Sequence, residues 1–283
     1  MNKQIILDPF SVVGSSGTTI SDMNKFLGTV LEKITLNLAG TALTKAMITS
    51  LQLIANGKVI YDTTGPTLES ANAYNAKAGV TNDPTILKID FMDRQMRTIN
   101  GFQAGAIDLS SKSGITSLRL QATIAGATAP IIFGIGDVAP PSGDPSEANI
   151  RWLMTRKHRA FVPIAAAGQF ALPIPHIDPA GGGSVYRRVY IFSSTMNALK
   201  TVREGVAEHE ITKAQNDTSQ RDNGKYPQAN VFTFDPVQTG QMQGSTFDTR
   251  LSSGIRSAQF LATFSGAENI TIETEELLPF TAY

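Results

Sequence analysis

The chain has 283 residues, 41% of them apolar and 17% charged, enough apolar surface for real cores and enough length for two ordinary domains. Its 24 basic and 24 acidic residues cancel, so no overall field draws it to nucleic acid, and direct nucleic-acid binding is not expected. Cysteine is absent, which excludes disulfides, thiolate metal sites and cysteine nucleophiles.

The apolar part of the opening segment, Ile5-Ile6-Leu7, is too short for a signal peptide. No run reaches the ~18 apolar residues of a membrane-spanning helix. A soluble protein made in the cytosol is therefore expected. Gly14-Ser15-Ser16-Gly17 lacks the flanking strand and helix of a nucleophile turn and reads as a loop.

Short apolar runs bounded by Gly, Pro, Asn and Ser then dominate, the pattern of an all-β chain. Strands are predicted over Glu32–Leu38, Met47–Ala55, Lys58–Thr63, Ile86–Phe91, Ser117–Ile124 and Ile131–Ile135. Asn56-Gly57 between two of them tolerates the positive φ angles of a type I′ hairpin turn. One short helix interrupts the strands. Pro66 sits near its first turn, Leu68, Ala71 and Tyr74 recur at helical spacing, and Gly79 ends it.

A break follows at Val138-Ala139-Pro140-Pro141-Ser142-Gly143-Asp144-Pro145, too rich in proline for a sheet. It predicts a first domain over 1–138, a linker over 139–146 and a second domain over 147–283. Past the break come a basic group, Arg151, Arg156, Lys157, His158 and Arg159, and the single tryptophan, Trp152. Ala160 to Pro175 reads as two short strands around a turn. Further strands are predicted over Phe161–Ile164, Val185–Phe192, Val231–Phe234, Ala258–Phe264 and Asn269–Thr274.

The two halves repeat. Asp108 to Ala127 aligns without a gap on Asp248 to Ala267, an offset of 140 residues, with nine identities in twenty positions. A weaker echo pairs Leu51–Thr64 with Leu199–Thr212, offset 148, which sets Gly57 on Gly205; a polar, helix-compatible stretch follows each. Two copies of one β domain is the economical reading. An antiparallel domain of ~130 residues with about eight strands fits a double-sheet jelly roll. The immunoglobulin landmarks are missing. The expected architecture is all-β: two tandem eight-stranded jelly rolls with a short helix between strands.

Lys33-Ile34-Thr35-Leu36-Asn37-Leu38, then Leu51 to Ile60, the helix Leu68–Lys77, and Leu87-Lys88-Ile89-Asp90-Phe91 together resemble the N-terminal domain of the corticovirus-type coat proteins. These are double jelly-roll major capsid proteins of tailless phages with an internal membrane. The resemblance runs from about Glu32 to Asp137, and beyond that rests on the internal repeat and overall length. It implies a homotrimer forming a pseudo-hexagonal capsomer, and an icosahedral shell tiled by neighbouring capsomers. Penton and minor capsid proteins and the internal viral membrane would be the other partners. The protein would be made in the host cytoplasm and end in the virion capsid.

No catalytic, cofactor-binding or metal residues come with the resemblance, and an enzyme is not expected. In Glu208-His209-Glu210, strand alternation sends the glutamates to one face and the histidine to the other. His176 reads as loop, and Gly181-Gly182-Gly183-Ser184 as a turn without the lysine of a phosphate loop. Asp217 and Asp222 in one polar loop, or Glu273, Glu275 and Glu276 in the tail, could hold a hard cation between subunits; the tail carboxylates read rather as plain surface. Arg151, Arg156, Lys157 and Arg159 form either a solvated segment or a strip facing anionic lipid headgroups. The rival reading is a receptor- or carbohydrate-binding β-sandwich, which expects aromatics on exposed loops.

Overall fold

The computed structural model describes residues 3–11, 14–76, 83–98, 104–141, 153–174, 183–242 and 244–279. They fall into two compact units, the first drawn from 1–73, 79–158 and 278–283, the second from 74–78 and 159–277.

The first unit contains β1 (Lys3–Ile6), β2 (Gly17–Asp22), β3 (Val30–Thr41), β4 (Ile48–Ala55), β5 (Lys58–Thr63), α1 (Gly65–Asn75, up to Ala73), β6 (Ile86–Asp90), β7 (Ile107–Asp108), β8 (Leu118–Ile124) and β9 (Ala129–Ala139). One sheet has the order β1-β9-β3-β6, with β7 also on β3; the other runs β2-β8-β4-β5. Alternation builds both. On β3, Ile34, Leu36 and Leu38 point into the core while Lys33, Thr35 and Asn37 stay half-exposed. The core joins Leu31, Ile34, Leu36, Leu51, Leu53, Leu87, Ile89, Leu118 and Leu120 of the two sheets. Of the expected linker 139–146, Ala139 closes β9 and Pro140 and Pro141 are irregular; 142–146 lie outside the described residues.

β10 (Leu153–Ile164) gives its first half to the first unit, where Lys157 pairs with Tyr61 of β5, and its second half to the second. The second unit continues with β11 (Gly168–Leu172), β12 (Val185–Phe192), β13 (Met196–Arg203), β14 (Val206–Thr212), α2 (Lys213–Asp222), β15 (Val231–Phe234), β16 (Phe247–Asp248), β17 (Ala258–Phe264) and β18 (Glu268–Pro279). Its sheets run β15-β12-β18-β10, with β16 on β12, and β11-β17-β13-β14. Its core is more aromatic. Phe234, Phe247 and Phe260 meet edge to face with ring centroids 5.1 to 5.7 Å apart, a geometry worth about 0.5–1.5 kcal/mol per pair beyond burial.

Each unit is thus a jelly roll, and the two share one strand order. β8 lies between β2 and β4, and β17 between β11 and β13, so the repeated segments occupy equivalent strands. The repeat extends to single hydrogen bonds. The Ser110 amide donates to Asp108 Oδ1 at 2.8 Å, and the Arg250 amide to Asp248 Oδ1 at 2.9 Å. The Ala125 amide reaches the Met47 carbonyl at 2.9 Å, and the Ser265 amide the Thr195 carbonyl at 2.9 Å. Both β4–β5 and β13–β14 hairpins turn through two positive-φ residues, Asn56 and Gly57 at 49° and 80°, and Glu204 and Gly205 at 51° and 77°. These are the type I′ values that match strand twist.

The α1 helix stands where expected, with the Thr64 hydroxyl accepting from the Thr67 amide at 3.2 Å. A second helix stands at the equivalent place after β14. Asp217 and Asp222 therefore lie on α2, not in a loop. A capping box starts it: the Thr212 side chain accepts from the Gln215 amide, and the Gln215 side chain accepts from the Thr212 amide. No helix among the described residues is long and apolar enough to cross a membrane.

Candidate assembly face and buried charge network

The outer face of the first roll's β1-β9-β3-β6 sheet is apolar at one edge. Period-2 alternation on β9 turns Ile132, Gly134 and Val138 inward and Ile131, Phe133 and Ile135 outward. Ile131 and Phe133 are 56% and 53% exposed, and Ile6 on β1, opposite Ile135, is 71% exposed. The patch ends at a polar rim, where Gln4 Nε2 donates to Asp137 Oδ1 at 2.9 Å and Lys33 Nζ lies 3.5 Å from Asp137 Oδ2. The outer face of the partner sheet is mainly polar by contrast, with Thr18 bonded to Thr123 and Gln52 to Asp62, although Ile20 on β2 is 38% exposed there. Exposed, contiguous apolar side chains on an otherwise polar roll mark a contact surface.

In the second roll, charge is buried instead. Glu273, Glu275 and Glu276 are not surface. They are buried on β18, at most 6% exposed. A register shift between Tyr186 and Arg188 on β12 re-aims the consecutive arginines, a familiar use of a β-bulge. Arg187 Nε and Nη2 both reach Glu275 Oε2 at 3.2 Å. Arg188 Nη1 lies 3.7 Å from the same oxygen, and Arg188 Nε donates to Asp235 Oδ2 at 2.9 Å. Asp235 Oδ2 also accepts the Tyr74 hydroxyl at 2.9 Å, and Oδ1 accepts the Val237 amide at 3.1 Å. Burial, then the Asp235 charge, push the Tyr74 phenol far above its ordinary range, so it stays a donor. Glu276 is held by Ser184 Oγ at 2.5 Å and Thr274 Oγ1 at 2.8 Å. With donors on its oxygens this network is a structural lock.

Of the basic segment, one member is buried. Arg151 and Trp152 lie outside the described residues. Lys157 is 0% exposed, with Nζ 5.6 Å from the Tyr61 ring centroid, so it is withdrawn from any lipid-facing strip. Arg156 and Arg159 are half-buried, and the Arg159 guanidinium stacks 5.4 Å from the Phe161 ring. Strand alternation, which puts Lys157 on the same buried face as Thr155 and lays its long stem against an aromatic, decides this.

His209 packs edge to face on Phe234, 5.5 Å between centroids, and burial lowers its pKa. Glu208 pairs with Arg203 at 2.6 Å and Glu210 with Lys200 at 2.9 Å, as alternation requires. Among the described residues no group of three or more His, Asp or Glu is placed to hold a metal ion. His176, Gly181 and Gly182 lie outside the described residues.

Two family models match in order along the chain, the viral coat protein P2 N-terminal domain over residues 4–139 and the viral coat protein P2 C-terminal domain over 154–279. The chain belongs to the viral coat protein P2 family. Solved structures share its fold from end to end. The major capsid protein P2 from bacteriophage PM2 has a TM-score of 0.82 at 16% identity, over 100% of this chain and 99% of that one. The STIV MCP gives 0.69 at 9% identity, covering 99% and 97%. The PBCV-1 virus capsid gives 0.64 at 10% identity, covering 100% and 96%. No match is found among curated protein sequences. This coat protein is a double jelly roll, and the family decides against the receptor-binding sandwich.

Proposed function

We propose that this coat protein is the major capsid protein of a tailless icosahedral virus and that it trimerises into a pseudo-hexagonal capsomer. The observation that carries this is the pair of P2 domain matches, in order, on two jelly rolls of one strand order. Three copies of two rolls give six similar barrels, which is how a threefold assembly fills a sixfold tile. The outer face of β1 and β9, with Ile6, Ile131 and Phe133, meets a second copy of this chain. The role is structural, without catalysis or cofactor. Neighbouring capsomers, penton and minor capsid proteins and an internal membrane complete the partners. The duplication boundary falls in the linker 139–146, between repeats 1–138 and 147–283 of the sequence, and the chain is made in the host cytoplasm. Light scattering of the purified chain should give about three times 30.3 kDa. A strictly monomeric species at micromolar concentration would overturn the trimer.

Arg151, Arg156 and Arg159 remain the residues we propose to meet anionic headgroups, each with about 1 kcal/mol of screened attraction. Replacing the three by Gln is expected to weaken binding of the assembled protein to vesicles rich in anionic lipid, and high salt to weaken the parent to the same level. Equal binding by variant and parent at low salt would reject the membrane contact and leave the coat assignment intact.

A further inference from the structure

The duplicated frame lets the two rolls be compared position by position, and at two positions their chemistry differs. At the β4–β5 turn, Asn56 Oδ1 accepts the amides of Thr116 and Ser117 at 2.8 and 3.1 Å. At the equivalent β13–β14 turn, Glu204 Oε1 accepts the amides of Arg256 and Ser257 at 2.5 and 2.7 Å. In both rolls the turn residue's own amide donates back to the carbonyl of Ser117 or Ser257 at 3.0 Å. The second difference lies at the start of the last strand. The offset of 140 places Glu268 where the first roll has Thr128. Glu268 accepts the amides of Ser194 and Thr195 at 3.0 and 3.1 Å, and the hydroxyls of Ser193, Ser194 and Thr195. Thr128 brings no ionisable group; its amide donates to the Thr41 carbonyl at 3.3 Å.

We infer that the second jelly roll carries two proton-operated latches, Glu204 and Glu268, at positions where the first roll has neutral side chains, so that acid frees loops of the second roll while their counterparts in the first hold. A carboxylate accepts two amides strongly, and a protonated one loses both charge and an acceptor site. The charged groups on the elements that meet at the Glu204 turn are Arg203 and Glu208 of the hairpin strands and Asp248, Arg250 and Arg256 of the segment before β17. Arg203 pairs with Glu208 and Arg250 with Asp248, and Arg256 is the cation acting on Glu204. The partners of Glu268 are hydroxyls and amides, all neutral. The amides of Ser257 and Arg256 hold Glu204 below its ordinary pKa. Partial burial raises that of Glu268, but its hydrogen bonds outweigh this and bring it to about 2. A folded pKa below the unfolded one means that the contribution is present at neutral pH and lost as pH falls through the folded value. Asp108 and Asp248 share the amide contact in both rolls, but only Asp248 also holds a guanidinium and a hydroxyl, those of Arg250 and Ser253, so a loss of protection that persists without Glu204 and Glu268 belongs to Asp248.

The experiment is backbone amide exchange on the full chain, titrated from neutral pH down through the carboxylate range and corrected for intrinsic rates. In the parent, protection of Ser194, Thr195, Arg256 and Ser257 should fall at least about tenfold in acid, while Thr116 and Ser117 keep theirs. In the Glu204→Gln, Glu268→Gln double variant the second-roll protection should no longer fall with acid: the single oxygen that Glu204 uses is kept, whereas one of the two that Glu268 uses becomes a donor, so Ser194 or Thr195 starts less protected but independent of pH. Loss at the same pH in parent and variant would overturn the latches. So would parallel loss at Ser117 and Ser257 in the parent, a comparison that needs no variant to fold.

Discussion

Asp235→Ala is expected to lower the unfolding free energy by about 3–5 kcal/mol, the usual consequence of stranding one partner of a buried ion pair. Asp235 and Arg188 have side chains 0% and 2% exposed. Removing the carboxylate leaves the Arg188 Nε–H and the Tyr74 hydroxyl, both buried, without the oxygen they share at 2.9 Å. Arg188→Met should cost a comparable amount, because it takes the paired cation from the buried Asp235 carboxylate and leaves it a phenol and an amide. The double variant Arg188→Met, Asp235→Ala should cost clearly less than the sum, since no buried charge is left over at that pair. Urea unfolding at one fixed protein concentration measures all three, the concentration being held because assembly adds to apparent stability. A loss below about 1 kcal/mol for Asp235→Ala would show that the network relaxes around the gap and is no lock.

Phe133→Asp should act on assembly and leave folding alone. The side chain is 53% exposed on the outer face of β9, so a change there should shift unfolding by no more than about 0.5 kcal/mol. Burying a carboxylate in an apolar contact costs far more. Loss of a central apolar anchor alone is worth about 2 kcal/mol, or roughly 30-fold in association. Light scattering across a dilution series should therefore show the trimer dissociating at concentrations where the parent remains associated. Ile131→Asp should behave alike, being two residues away on the same face. Thr18→Asp, on the polar outer face of the other sheet, serves as the control and should leave the mass unchanged. A trimer insensitive to both β9 variants would move the contact to another surface without touching the coat family.

Much of the architecture was legible because it is written locally. Alternating apolar residues gave β3, β4, β5, β6, β8, β12 and β17, since the side-chain period of a strand is two wherever one face is buried. Asn56-Gly57 predicted its turn because few residue pairs accept two positive φ angles. α2 was half legible: the stretch after Thr212 reads as helix-compatible, yet Asp217 and Asp222 within it read as loop. Thr212-x-x-Gln215 is a capping-box signature, and it outweighs the helix-poor composition of Lys213–Asp222. β1, β2 and the two-residue β7 and β16 escaped because each is short or lies at a sheet edge, where pairing depends on a distant partner more than on its own sequence.

The sequence by itself determined the duplication. The offset of 140 holds through Asp108 and Asp248, Ser117 and Ser257, and these are the residues whose hydrogen bonds recur in both rolls. Such bonds tie neighbouring turns and strands, so they leave a repeat that can be read along the chain. Burial of charge was decided only by the tertiary structure. Three glutamates in a terminal stretch read as solvated because nothing near them in sequence offers a cation, and the arginine that meets Glu275 is 88 residues away. Lys157 likewise reads as part of a basic strip until β10 lays it over Tyr61. Whether an ionisable group faces water depends on which remote group occupies the space beside it, and that follows from strand register, which one bulge at Arg187 can shift.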